Sequence, residues 1–224
     1  MSRRGRDRRR DGDAAREGGR SGSFRLAVLI SGGGSTLQNL IDRMRDGRLP
    51  GVEISVVISS RSDVAGVARA EAAGLPVDVI RVKDHPDAQR FSDHVTLTLD
   101  VFMPDLVVQA GWLCYWIVPP RWMGKVINLH PALLPRHGGK GMYGRHVHEA
   151  VLAAGDSETG ATVHWVDNEY DHGGVIAQAR CPVQAGDTPD ALAERVQALE
   201  RELLPRTILA IRRGEVRRGA KCAK

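Results

Sequence analysis

In residues 126–139, VINLHPALLPRHGG, an apolar run delivers Asn128 and His130 two positions apart before Pro131 stops it. Side chains alternate along a strand, so this spacing puts both polar heads on one face and Leu129 on the other. An amide and an imidazole converging there can donate hydrogen bonds and, near neutral pH, exchange a proton. The plainer alternative is a hydrogen-bonded structural His. For His130 to act as an acid, something must stabilise its charged form, and NEYDHGGVI supplies Asp171, in a turn between two strands. An Asp that caps its own turn is the competing reading.

A second candidate is ISGGGSTLQN. Glycines let backbone approach a ligand closely, and the N–H groups that open the following helix favour a phosphate. A phosphate monoester on Gly34, Ser35 and Thr36 fits better than a dinucleotide, because Leu37 occupies the third glycine position and SSR, with no acid, ends the second strand. A tight turn with no ligand is the alternative. Trp112, Tyr115 and Trp116 in GWLCYWI offer an apolar wall for a flat ligand, or core packing. His146 and His148 sit two apart on a helix and so point about 200° apart, which does not make a chelating pair. The expectation is a metal-free site. His164 in GATVHWVD is read first as a packing residue, with a supporting role at the site as the alternative.

These residues need a frame that brings strand ends together. From Phe24, FRLAVLIS, VEISVVISS, PVDVIRV, PDLVVQAG and KVINLH read as buried strands, separated by helical stretches after Gly34, in VAGVARAEAAG and in DAQRFSDHVTLTLDVF. That alternation predicts an α/β fold, a doubly wound, mostly parallel sheet whose ligands bind at the strands' carboxyl ends. RHVHEAVLAAG reads as a helix, GATVHWVD and GVIAQARCPV as a strand pair. A long final helix starts at Thr188 with Pro189 in its first turn. Pro205 is expected to kink or divide it.

The 224 residues, 42% hydrophobic, suit one domain, placed at 24–213. Residues 1–23 hold eight Arg against four acids and residues 212–224 hold six basic residues against Glu215, so the net charge of +5 belongs to the ends and the body is acidic. The first stretch reads as a disordered Arg/Gly-rich extension and 214–224 as a basic tail. No nucleic-acid partner is expected. No window nears the roughly 18 apolar residues of a membrane span, and no secretory signal is visible, so no membrane partner and a cytoplasmic location are expected. Cys114, Cys181 and Cys222 are read as reduced thiols.

VLISGGGSTLQNLI, NLHPALLP, GATVHWV and YDHGGVIAQ stand in the order and spacing of the phosphoribosylglycinamide formyltransferases, and the chain resembles that family over residues 24–213. The resemblance implies a Rossmann-like formyltransferase fold and transfer of the formyl group of 10-formyltetrahydrofolate to the amine of glycinamide ribonucleotide, in de novo purine biosynthesis. It implies a catalytic trio of Asn128, His130 and Asp171. It places substrate contacts at Gly34, Ser35, Thr36, Gln197 and Glu200, and folate contacts at Arg90, Leu113, Cys114, Tyr115, Trp116 and Asn128. The Asn128 amide and a protonated His130 would then donate to the oxyanion, with Asp171 holding His130 charged. A homodimer is carried as an open expectation.

This chain departs from the family pattern at Ala132, usually Ser, and at Cys114, often Arg. It also has a glycine-rich stretch after His137 that only some members share. Three alternatives remain on the sequence: another 10-formyltetrahydrofolate enzyme (a hydrolase or a tRNA formyltransferase), a non-catalytic phosphate-binding module, and a dinucleotide oxidoreductase. The first usually carries a further domain for which this chain is expected to lack room. The second leaves Asn128, His130 and Asp171 without a purpose, and the third lacks its acid.

Overall fold

The structure is a computed structural model that describes residues 22–216. Most of the expected extension and basic tail, with Cys222, lies outside the described residues. Strands β1 (Phe24–Ile30), β2 (Val52–Ser59), β3 (Val77–Val79), β4 (Leu106–Gln109), β5 (Val126–His130), β6 (Glu158–Trp165) and β7 (Val175–Pro182) form one sheet in the order β3-β2-β1-β4-β5-β6-β7. The first five pair in parallel; β6 joins β5, and β7 joins β6, antiparallel. The fold is the mostly parallel, doubly wound α/β class the sequence predicts.

Helices α1 (Ser35–Arg45), α2 (Ala65–Ala72), α3 (Ala88–Phe102), α4 (Arg145–Ala153) and α5 (Pro189–Arg212) complete it. Alternation along β1 builds two cores. Leu26, Val28 and Ile30 face Leu37, Leu40 and Ile41 of α1 and Val196, Leu204 and Ile208 of α5. Ala27 and Leu29 face Phe91, Val95 and Leu99 of α3, with Trp112, Trp116 and Trp122 filling the same side. A strand covered on both faces must be apolar throughout, which is why β1 shows no polar alternation.

The chain winds outward from β1 to β3, then returns through α3 to place β4 on the other side of β1. That reversal leaves a crevice outside the carboxyl ends of β1, β4 and β5. The turn after β1 is built for closeness: Gly34 has φ +71°, and a Cβ there would lie 2.6 Å from Gly66 Cα of α2. Glycine is therefore required by packing as well as by backbone conformation.

Three details differ from the sequence reading. β3 stops at Val79, and residues 82–84 form a 3₁₀ turn. A second 3₁₀ turn occupies 120–122. Pro205 does not divide α5, which runs unbroken from Pro189 to Arg212. Proline removes the N–H that would bond the carbonyl four residues earlier, here Arg201. Asn39 Nδ2 of α1 donates to that Arg201 oxygen at 3.0 Å, so the lost partner is replaced from a neighbouring helix. The ends of α3 and α5 follow ordinary capping: Asp87 Oδ1 accepts from Arg90 N–H at 2.8 Å, and Thr188 Oγ1 from Ala191 N–H at 3.2 Å.

Candidate active site

A cleft of about 600 Å³ opens at the switch point. The turn after β1 supplies Gly32, Ser35 and Thr36, and the segment after β4 supplies Trp112 through Trp116. Asn128 marks β5, Gln197 and Glu200 mark α5, and the loops at 139–144 and 166–171 close the remaining sides. Leu113, Cys114, Tyr115 and Trp116 thus share the cleft with Ser35, Thr36, Asn128, Asp171, Gln197 and Glu200. Gly34 shapes the turn without lining the cleft. Arg90 stands apart: it is exposed on α3 and does not line the cleft.

The polar floor arises from strand register. β5 pairs with β6 so that Asn128 lies opposite His164 and His130 opposite Thr162. Two strands with polar residues at alternate positions therefore put four polar side chains on one face. Asn128 Nδ2 lies 3.1 Å from His164 Nε2 and donates to Asp171 Oδ1 at 3.2 Å. His164 Nδ1 lies 2.8 Å from the Trp165 carbonyl, an acceptor only, so the proton is on Nδ1 and Nε2 accepts from Asn128. Both amide hydrogens of Asn128 are engaged in this arrangement. Thr162 Oγ1 donates to Ala132 O at 2.6 Å and accepts from Leu134 N–H at 3.1 Å, tying down the segment that follows β5.

His130 is buried behind Asp171 and does not itself line the cleft. Its Nε2 faces the His137 carbonyl oxygen at 2.8 Å, which fixes a proton on Nε2. Its Nδ1 lies 3.5 Å from Asp171 Oδ2. Burial pulls the His130 pKa below the usual histidine value, outweighing the opposing pull of the Asp171 charge and the His137 carbonyl. This direction runs against the expectation that Asp171 keeps His130 charged; when the ring is neutral, its basic nitrogen, Nδ1, faces the carboxylate. At Asp171 burial works upward. A His164 or His130 imidazole that carries a proton toward it, and the Gly139 N–H, which donates at 3.0 Å, draw its carboxyl below the ordinary range.

The Asp171 loop is held to the segment after β4. Tyr115 Oη donates to Asn168 O at 2.9 Å, and Asn168 Oδ1 accepts from Val118 N–H at 2.8 Å. Asp171 takes φ +53°, a left-handed conformation that aspartate tolerates better than most residues. Across the cleft, burial pushes Glu200 up to about 7. The Cys114 thiol is also raised by burial.

From sequence alone His164 is expected chiefly to pack, and His148 has no expected place in the cleft. His164 is 2% exposed and in contact with Asn128. His148 is buried at the cleft edge, with an Nδ1 that has no hydrogen-bond partner. The signal for His164 lay in matching alternation, Asn-x-His on β5 and Thr-x-His on β6. Among the described residues no group of three or more His, Cys, Asp or Glu is placed to hold a metal ion, and no helix is long and apolar enough to cross a membrane.

Residues 24–208 match the formyl transferase family, and the chain belongs to that family. Within it, the chain is similar to the Escherichia coli phosphoribosylglycinamide formyltransferase, 35% identical over 82% of this chain and 84% of that protein. It is also similar to the human trifunctional purine biosynthetic protein adenosine-3, 39% identical over 87% of this chain. The chain spans 19% of that human protein and 14% of the trifunctional protein of Drosophila pseudoobscura pseudoobscura. Among solved structures, glycinamide ribonucleotide transformylase 1 from Symbiobacterium toebii superposes with a TM-score of 0.79 at 32% identity, covering 88% of this chain and 95% of that one. The phosphoribosylglycinamide formyltransferase of Coxiella burnetii gives 0.78 at 35% identity, covering 86% and 88%.

Proposed function

We propose that this chain transfers the formyl group of 10-formyltetrahydrofolate to the amine of glycinamide ribonucleotide, as a phosphoribosylglycinamide formyltransferase of purine biosynthesis. The observation that carries the reading is the cluster of Asn128, His164 and Asp171, backed by the buried His130, in a cleft with two unlike ends. One end offers the hydroxyls of Ser35 and Thr36 and the backbone opening α1, which suit a phosphate. The other offers the Leu113 to Trp116 segment, which suits a flat folate ring. Residues 24–213 act as one formyltransferase domain, working in the cytoplasm and needing no metal.

Attack of the amine on the formyl carbon makes a tetrahedral oxyanion and leaves the nitrogen with a proton to lose. Asp171, on the cleft wall, accepts the hydrogen bond of the attacking amine. His130 behind it takes the proton on Nδ1, the nitrogen its hydrogen bond to His137 leaves basic. As His130 becomes charged it draws on the Asp171 carboxylate and weakens that group's hold on Asn128. An amide N–H is thereby released for the oxyanion. The proton then returns through Asp171 to the departing folate nitrogen. Gln197 and Glu200 bind the ribonucleotide across the cleft.

The test follows deformylation of 10-formyltetrahydrofolate with each reactant omitted in turn. Turnover that requires glycinamide ribonucleotide supports the reading. Formate release without it would favour a hydrolase.

A further inference from the structure

His130 owes its tautomer to the backbone of the connection between β5 and α4, residues 131–144, which carries no regular secondary structure. The carbonyl that meets Nε2 belongs to His137, which has φ +55°. A residue with a β-carbon does not rest there unless its surroundings hold it. What holds it lies on the side away from the cleft. His137 Nε2 meets Asp156 Oδ2 at 2.7 Å, in the turn after α4, while Arg136 donates to the other oxygen of the same carboxylate. Both partners of the 2.7 Å contact are well covered, at 14% and 8% side-chain exposure. Two residues further on, Gly139 N–H is bound by Asp171, so one carboxylate grips the segment from outside and another from inside.

We propose that Asp156 and His137 are a positioning pair for the reaction: by anchoring the His137 side chain they hold its carbonyl on His130 Nε2 and keep Nδ1, the proton-accepting nitrogen, turned toward Asp171. The proposal rests on the reading that His130 serves formyl transfer. An imidazole released from the carbonyl can carry its proton on either nitrogen, and only one of the two forms leaves a lone pair facing the carboxylate. The pair stands outside the cleft: neither His137 nor Asp156 lines it. Its loss therefore falls on the chemical step and spares binding.

The experiment uses the full chain labelled with ¹⁵N-histidine, with His130 assigned by comparison with His130→Gln. In the wild type the His130 resonances show a protonated Nε2 and an unprotonated Nδ1. In His137→Gly, which keeps a left-handed backbone accessible, and in Asp156→Ala, they move toward a mixture of both forms. In these two variants kcat falls about tenfold, the low end of what losing a histidine-orienting partner costs at metal sites. KM for both reactants stays within about twofold. Asp156→Asn, which keeps an acceptor for His137, restores most of kcat. Arg136→Ala, which leaves the His137 contact in place, stays near wild type.

A folded Asp156→Ala or His137→Gly with wild-type nitrogen resonances and wild-type kcat would overturn the proposal. So would a change confined to KM. A wild-type chain without formyl transfer would instead sink the functional reading, and the resonances would still decide whether the pair sets the tautomer.

Discussion

From Leu26 to Ile30, five consecutive side chains of β1 are fully buried and all are apolar, whereas the buried positions along β5 and β6 include His130, Thr162 and His164. The parallel half of the sheet is held by apolar burial, which has no direction and asks only that volume be filled. The antiparallel half buries groups that cost free energy unless each finds a partner, so their geometry is specified bond by bond. Two of the three non-glycine residues with positive φ among the described residues, His137 and Asp171, belong to that half, and both face His130. The first half provides a rigid ledge, and the second carries the groups with chemical consequence. Substitutions in the two halves should therefore fail differently.

The largest expected effect is on turnover. His130→Ala should lower the kcat of the folded fraction by about 10²-fold or more, the usual contribution of a positioned acid-base group. Leu29→Ala should do the reverse, costing about 2 to 5 kcal/mol in denaturant unfolding while the folded fraction keeps its turnover. Gly34→Ala probes the border between the halves. Its β-carbon would collide with Gly66 and strain a positive φ, so a stability loss of about 1 to 3 kcal/mol is expected, with a raised KM for the ribonucleotide as Ser35 and Thr36 shift.

The smallest effect tests Glu200 on the cleft wall. Its pKa is raised from 4.5 to about 7, so the folded state favours the protonated form. That contribution is complete below pH 4.5 and is lost as pH rises through about 7. Glu200→Gln should therefore raise Tm relative to wild type at pH 8 and not at pH 4. Equal Tm differences at both values would show that Glu200 is not buried as a charge.

The same contrast explains what the sequence disclosed. The apolar half was legible because unbroken runs such as FRLAVLI and the helical spacing of Leu37, Leu40 and Ile41 report burial directly. Asn128 and His130 were legible because a period of two is a local property. His164 was not, since a buried His on a strand looks the same whether it packs or bonds, and only the register with β5 separates the cases. The pull of burial on His130 was hidden because the carboxylate partner can be named from sequence while the burial opposing it cannot. The link to Asp156 was hidden for a further reason: it runs through a backbone carbonyl, which has no letter in a sequence. That Pro205 leaves α5 undivided could not be read locally, because its remedy, Asn39, lies on another helix.

In the proposed function the cleft passes a formyl group from a folate to an amine. The most direct measurement supplies 10-formyltetrahydrofolate labelled with ¹³C in the formyl carbon, together with glycinamide ribonucleotide, and follows where the label goes. One labelled formyl amide on the ribonucleotide is expected for each folate consumed, with a rate cut sharply by Asp171→Asn. Label appearing as free formate, or transfer that survives Asp171→Asn at the wild-type rate, would contradict it.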